Sequence, residues 1–87
     1  MAPIAARKAG QIARNAAGVI AVELMAAAEG IDYHAPLKTS PALQAVHGKI
    51  RTHSPHLETD RYWADEISAL QAAVLGGGIA PELVPLF

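Results

Sequence analysis

The sequence contains no cysteine, which excludes disulfides, thiolate metal sites and thiol nucleophiles. Aromatic residues are scarce as well, with one Phe, one Trp and two Tyr, so large rings cannot dominate a core. Neither sign of charge prevails: 7 Lys+Arg stand against 8 Asp+Glu, a net charge of −1. That excludes the strong basic excess of a nucleic-acid binder. No apolar run reaches the ~20 residues a membrane-spanning helix needs. Arg7, Lys8 and Arg14 precede an apolar run from Ala16 to Ala28, but Glu23 interrupts it and the charged region is too long for a signal peptide. These absences predict a cytoplasmic chain with neither nucleic acid nor membrane among its partners.

What the chain does have is aliphatic content. Hydrophobic residues make up 52% of its 87 positions, and alanine is the commonest of them. Alanine gives helix propensity with little burial energy. A chain of this length buries only about 60% of the surface its unfolded form exposes. Its helices therefore form readily, pack weakly by themselves and call for partner surface.

Helix punctuation divides the chain into three helices. From Pro3 to Glu29, strong helix formers dominate, and Gly10 and Gly18 are the only glycines. Pro3 suits a first turn and Gly30 the left-handed position just past a C-terminus, so the first helix is predicted over about 3–29. Ser40-Pro41 reads as an N-cap followed by a proline at the first helical position. A second helix over about 41–53 follows, with Ala42, Leu43, Val46 and Ile50 facing the core and Pro55 beyond its end. A third is predicted over about 64–75. Asp65 and Glu66 lie at its positive end, and Ile67, Leu70, Ala73 and Val74 form its apolar stripe. Gly76-Gly77-Gly78 ends it and reads as a hinge. The tail from Ile79 to Phe87 is expected to be irregular, docking only on partner surface. The fold class is all-α: one long helix, two shorter ones and an irregular tail, as a piece of a helical bundle.

Ala16 to Ala28 is apolar all round except for Glu23. Such a helix is normally buried on every side, and two short helices cannot enclose it. Val19, Ile20, Val22 and Leu24 are therefore expected to be buried against another subunit or domain.

No residue carries an assigned catalytic, cofactor-binding or metal-ligating role. Among His34, His47, His53 and His56, no two have the i, i+4 spacing of a helical zinc pair, and they read as surface or helix-end histidines. Asp60 is read as capping backbone N–H groups in a turn near Glu58, with Arg61 paired to a carboxylate. Tyr62-Trp63 is read as an anchor of the linker on a helical surface. Arg7, Lys8 and Arg14 read as a solvated or ion-paired face.

Several segments in order carry a resemblance. They are Met1-Ala2-Pro3 through Ala6-Arg7-Lys8 to Asn15, then Ala21-Val22-Glu23-Leu24-Met25-Ala26-Ala27-Ala28-Glu29-Gly30-Ile31-Asp32. Pro36-Leu37-Lys38-Thr39-Ser40-Pro41-Ala42-Leu43 follows, and then Pro55-His56-Leu57 leading to Asp60-Arg61-Tyr62-Trp63 and Asp65-Glu66-Ile67. Together they resemble the C-terminal end of the aromatic amino acid ammonia-lyases, histidine ammonia-lyases above all. The resemblance implies a long helical enzyme, usually a homotetramer, whose central helices pack between subunits. It also implies an electrophilic methylidene-imidazolone group made from an internal Ala-Ser-Gly, which promotes loss of ammonia from histidine to give urocanate. No Ala-Ser-Gly occurs in this sequence. The family's Asn-Gln-Glu-Asp-His motif would fall just ahead of Met1, and its active-site tyrosines, asparagine and arginine earlier still. No family site residue maps onto a position of this chain, and the prosthetic group is expected only in a full-length parent. The chain is thus expected to be a structural, oligomerising C-terminal fragment, inactive alone, that meets copies of itself or a missing N-terminal lyase half. The alternative is a free-standing helical interaction or regulatory module, with tyrosine- or phenylalanine-acting parents also open.

Overall fold

The computed structural model describes residues 2–79 and contains three α-helices: α1 (Ala2–Tyr33), α2 (Pro41–His53) and α3 (Ala64–Leu75). The architecture is all-α, as expected. At ~1.5 Å per residue the 32 residues of α1 run for about 48 Å, and they account for most of the molecule's 54 Å length.

α1 outruns its expected end. Gly30 lies inside the helix, and Gly77 is the one glycine with positive φ among the described residues. A glycine inside a helix costs ~1 kcal/mol relative to alanine. The extra turn recovers this by carrying Asp32 to α2, where it meets His47 and Arg51. Helix is abandoned only ahead of Pro36, which has no N–H to donate and would clash with the preceding turn. Turn hydrogen bonds from His34 N–H to the Ile31 carbonyl and from Ala35 N–H to the Asp32 carbonyl close this end.

The limits of α2 follow its punctuation. The Ser40 hydroxyl accepts from the Leu43 N–H at 3.3 Å, Pro41 opens the helix, and the Ser54 N–H returns to the Ile50 carbonyl. α3 has no side-chain cap. Trp63 occupies the cap position without a side-chain bond, and Asp60 is exposed. The first turn relies instead on its carboxylates at the positive helix end. At the other end the three glycines build a Schellman motif rather than a free hinge. The Gly77 N–H donates to Val74 and the Gly78 N–H to Ala73, with Gly77 at φ 72°.

This turn aims Ile79 back into the core, where it is buried. Ile79 thus docks on its own chain, contrary to the expectation for the tail. Residues 80–87, on which the rest of that expectation falls, lie outside the described residues.

The core is one seam. α1 contributes Ala17, Ala21, Met25 and Ala28, at spacings of three and four that align on one helix face. α2 adds Val46 and Ile50, and α3 adds Leu70, flanked by half-buried Trp63, Ile67, Ala73 and Val74. Leu43, predicted to face the core, is 42% exposed. It sits in the first turn of α2, one turn ahead of the packed Val46. Small residues on α1 let α3 come close, and at Gly18 an added Cβ would lie 3.3 Å from the amide nitrogen of Gln71. That amide donates to the Arg14 carbonyl at 2.6 Å. The opposite face of α1 has no cover among the described residues. Val19, Ile20 and Val22 are 60%, 43% and 50% exposed, and only Leu24 of the four named residues packs on the core.

Candidate functional site

The densest polar chemistry lies where α1 ends. Glu29 and Asp32 are three apart and share one face of the last turns of α1. His47 and Arg51 are four apart and share the facing side of α2. Arg51 is the hub. Its Nη2 donates to Glu29 Oε1 at 3.2 Å and to Asp32 Oδ2, and its Nη1 donates to the Ser54 carbonyl at 3.0 Å. His47 Nε2 lies 3.0 Å from Asp32 Oδ1. Glu29 Oε1 also accepts the Leu57 N–H at 2.8 Å, which fastens the linker to α1.

A second layer ties this cluster to α3. The Ser54 hydroxyl, almost fully buried, donates to Glu66 Oε1 at 2.7 Å. Arg61 grips Glu66 in fork geometry, Nε to Oε2 and Nη2 to Oε1, both at 2.8 Å. The same guanidinium donates to the Pro55 carbonyl and stands 5.4 Å from the Trp63 ring centroid. An unbroken polar chain therefore links α1, α2, the linker and α3.

The electrostatics follow from these contacts. Burial pushes the Glu29 carboxyl up, but the Leu57 N–H, Arg51 and His56 together outweigh it and hold it below its ordinary value. For Asp32 burial again acts upward, and Arg51 and His47 reverse it. Glu66 is held at about 2, chiefly by the Arg61 hydrogen bonds, with Ser54 assisting against desolvation.

One atom stands apart. Glu29 Oε2 is buried and accepts no hydrogen bond among the described residues, although His56 Nδ1 lies 3.0 Å away, out of line for a bond. Glu29, Asp32 and His56 bring one donor atom each within 4.8 Å of one another. Their carboxylates already face the Arg51 guanidinium, whose fixed charge would repel a divalent cation. Arg51 does the neutralising that a metal would do. A cleft of about 380 Å³ adjoins the cluster, lined by Asp32 and His47 with Ile31, Leu37, Lys38 and Gln44. Its lining also includes the Thr39 hydroxyl, but no cysteine, serine or tyrosine.

The histidines divide into two pairs. His47 is largely buried, so the reading as surface or helix-end histidines does not hold for it, whereas His56 is exposed; both lie beside carboxylates. His34 and His53 are exposed. Tyr62, at 81% exposure, does not anchor the linker, whereas Trp63 does. Arg61 has the carboxylate partner expected of it. Arg7, Lys8 and Arg14 are exposed on α1. Sequence reasoning passed over Glu29, Asp32, Arg51 and Glu66 as site residues. Two same-face pairs, Glu29/Asp32 and His47/Arg51, were the available signal.

The half of the chain that holds α1, α2 and the hub of this cluster matches a known family. The model for aromatic amino acid lyases covers residues 1–52. This chain belongs to the aromatic amino acid lyase family. Among curated lyases, it is 46% identical over 80 residues to the histidine ammonia-lyase of Aromatoleum aromaticum, an alignment spanning 92% of this chain and 15% of that protein. It is 41% identical to the histidine ammonia-lyase of Rhodospirillum rubrum over 99% of this chain and 16% of that one. With the Desulfotalea psychrophila histidine ammonia-lyase the identity is 42%, over 100% of this chain and 18% of that protein. The chain thus spans less than a fifth of the length of these relatives. No solved structure matches it.

None of the serines lies within an Ala-Ser-Gly. Ser40 caps α2, and Ser54 is committed to Glu66.

Proposed function

We propose that this chain is the structural, oligomerising C-terminal segment of a histidine ammonia-lyase, inactive by itself and acting in the cytoplasm in histidine breakdown. The parent reaction is deamination of L-histidine to urocanate and ammonia. The observation that carries this reading is the alignment of nearly the whole chain, at 41–46% identity, with proteins that are each a histidine ammonia-lyase. Two features support the structural role. Every carboxylate of the buried cluster is engaged by Arg51, Arg61, a histidine or a backbone N–H, leaving none as a free base. The apolar face of α1 opposite its core also stands open, as a helix does before it packs on another subunit.

The test is a transplant. The matching stretch of the Aromatoleum aromaticum enzyme is replaced by these residues, and urocanate formation is followed by its ultraviolet absorbance. The chimera is expected to assemble as the parent does and to keep activity within about tenfold, while the 87-residue chain alone forms no urocanate. Urocanate from the chain alone, or a chimera that assembles but is inactive, would overturn the proposal.

A further inference from the structure

The cleft beside the buried cluster is walled by three pieces of chain that hydrogen bonds hold in place. Ile31 and Asp32 come from the last turns of α1, residues 35–39 from the connector, and Gln44 and His47 from α2. The His34 N–H donates to the Ile31 carbonyl and the Leu37 N–H to the His34 carbonyl. Gln44 Nε2 donates to the Thr39 carbonyl at 2.7 Å. A cleft braced in this way is formed before a ligand arrives. Its volume of about 380 Å³ lies at the small end of the ~300–1,000 Å³ range of ligand pockets, which suits one ring with a short side chain.

Its chemistry is divided. Ile31, Pro36 and Leu37 give it an apolar side. On the polar side the charge of Asp32 is already answered. Burial acts against that charge, but Arg51 and His47 keep the carboxyl ionised and engage both of its oxygens. Lys38 is an exposed cation with no ion pair among the described residues, so the one unanswered charge on the lining is positive. His47 is fixed by Asp32 through Nε2 at 3.0 Å. An ionised carboxylate only accepts, so the neutral ring carries its proton on Nε2 and keeps a lone pair on Nδ1. Nδ1 has no partner among the described residues.

We propose that this cleft binds a small aromatic carboxylate that carries a hydroxyl or N–H donor on its ring. Lys38 takes the carboxylate, Ile31, Pro36 and Leu37 cover the ring, and His47 Nδ1 accepts the ring's donor. A cation is disfavoured by Lys38, and a purely apolar molecule leaves Nδ1 and Lys38 unanswered. Arg51 acts at one remove, since it holds the Asp32 that orients His47. Binding here is independent of the lyase and oligomerisation readings, because every group it uses lies within residues 31–47.

The test titrates the whole chain, isotope-labelled for NMR, with 4-hydroxyphenylacetate. Binding is expected to saturate with a Kd on the order of 1 mM or below. It should move the backbone amides of Ile31, Leu37, Thr39 and Gln44 and the Nδ1 signal of His47. Phenylacetate, which lacks the hydroxyl, is expected to bind about fivefold more weakly and to leave His47 Nδ1 unmoved. Tyramine, in which an ammonium replaces the carboxylate, should bind at least about tenfold more weakly, and Lys38→Gln should weaken the hydroxylated probe about fivefold. Lys38 is exposed, so this variant keeps the fold. Absence of saturation up to about 20 mM probe would overturn the proposal. So would shifts centred on Val19 and Val22 of the open α1 face, equal binding of all three probes, or an unchanged Kd in Lys38→Gln.

Discussion

Glu66 carries the largest carboxyl shift among the described residues, and the cause is specific. The Arg61 fork and the Ser54 hydroxyl both stabilise its ionised form. Its folded value of about 2 lies below the ordinary 4.5, so between these pH values the unfolded chain binds more protons than the folded one. The stabilisation is complete above about pH 4.5 and is lost as pH falls toward 2. Glu29 and Asp32, also lowered, act in the same direction. Thermal melts followed by circular dichroism between pH 7 and 3 should show Tm falling on the acid side. Glu66→Gln should cost about 1.5–3 kcal/mol at pH 7, the range for a hydrogen bond to a charged group, and should flatten that acid slope. Equal slopes for the two proteins would remove Glu66 as a source of the pH dependence.

At the scale of single helices, glycines give opposite outcomes for the same substitution. Gly30 lies inside α1, and a methyl group added there would meet nothing within 4 Å. Gly30→Ala is expected to stabilise by ~0.5–1 kcal/mol. Gly77 has φ 72° and also faces open space. Gly77→Ala is expected to destabilise by ~1 kcal/mol or more, from backbone strain alone. Chemical denaturation of the two variants checks both signs. The pair also marks how far the sequence could be read. α2 and α3 lie where Ser40-Pro41, Pro55 and the three glycines put them, because caps and breakers act within a few residues. Gly30 misled for the opposite reason. Whether a glycine ends a helix depends on what the next turn can reach, and here Asp32 reaches Arg51, which lies 19 residues on. Within the polar cluster the same-face pairs were visible, but which of them meet was illegible for the same reason. Arg51 meets Glu29 across 22 residues and Leu57 meets it across 28, and no local spacing encodes such closures. The pairing of Arg61 with Glu66 was legible in kind, since the two are five apart and flank a helix start.

The whole molecule is unevenly held. The core seam occupies α1 from Ala17 onward, whereas from Ala2 to Ala16 only Gly10 is even partly covered. An isolated helix of about 15 residues is marginal in water. Among the described residues, the first half of α1 is therefore stabilised in a monomer only by continuity with the packed half and by the Gln71 bond to the Arg14 carbonyl. Local opening there costs far less than global unfolding. Hydrogen exchange at a dilution where the chain is monomeric should reflect this. Amides before Asn15 should exchange at least about tenfold faster than those of Ala21 to Ala28. Raising the concentration until the chain pairs should slow the early amides, since pairing stabilises only the state that binds. Uniform protection along α1 in the monomer would mean that the first half is held by something other than a partner, and the open face would lose its claim to be an interface.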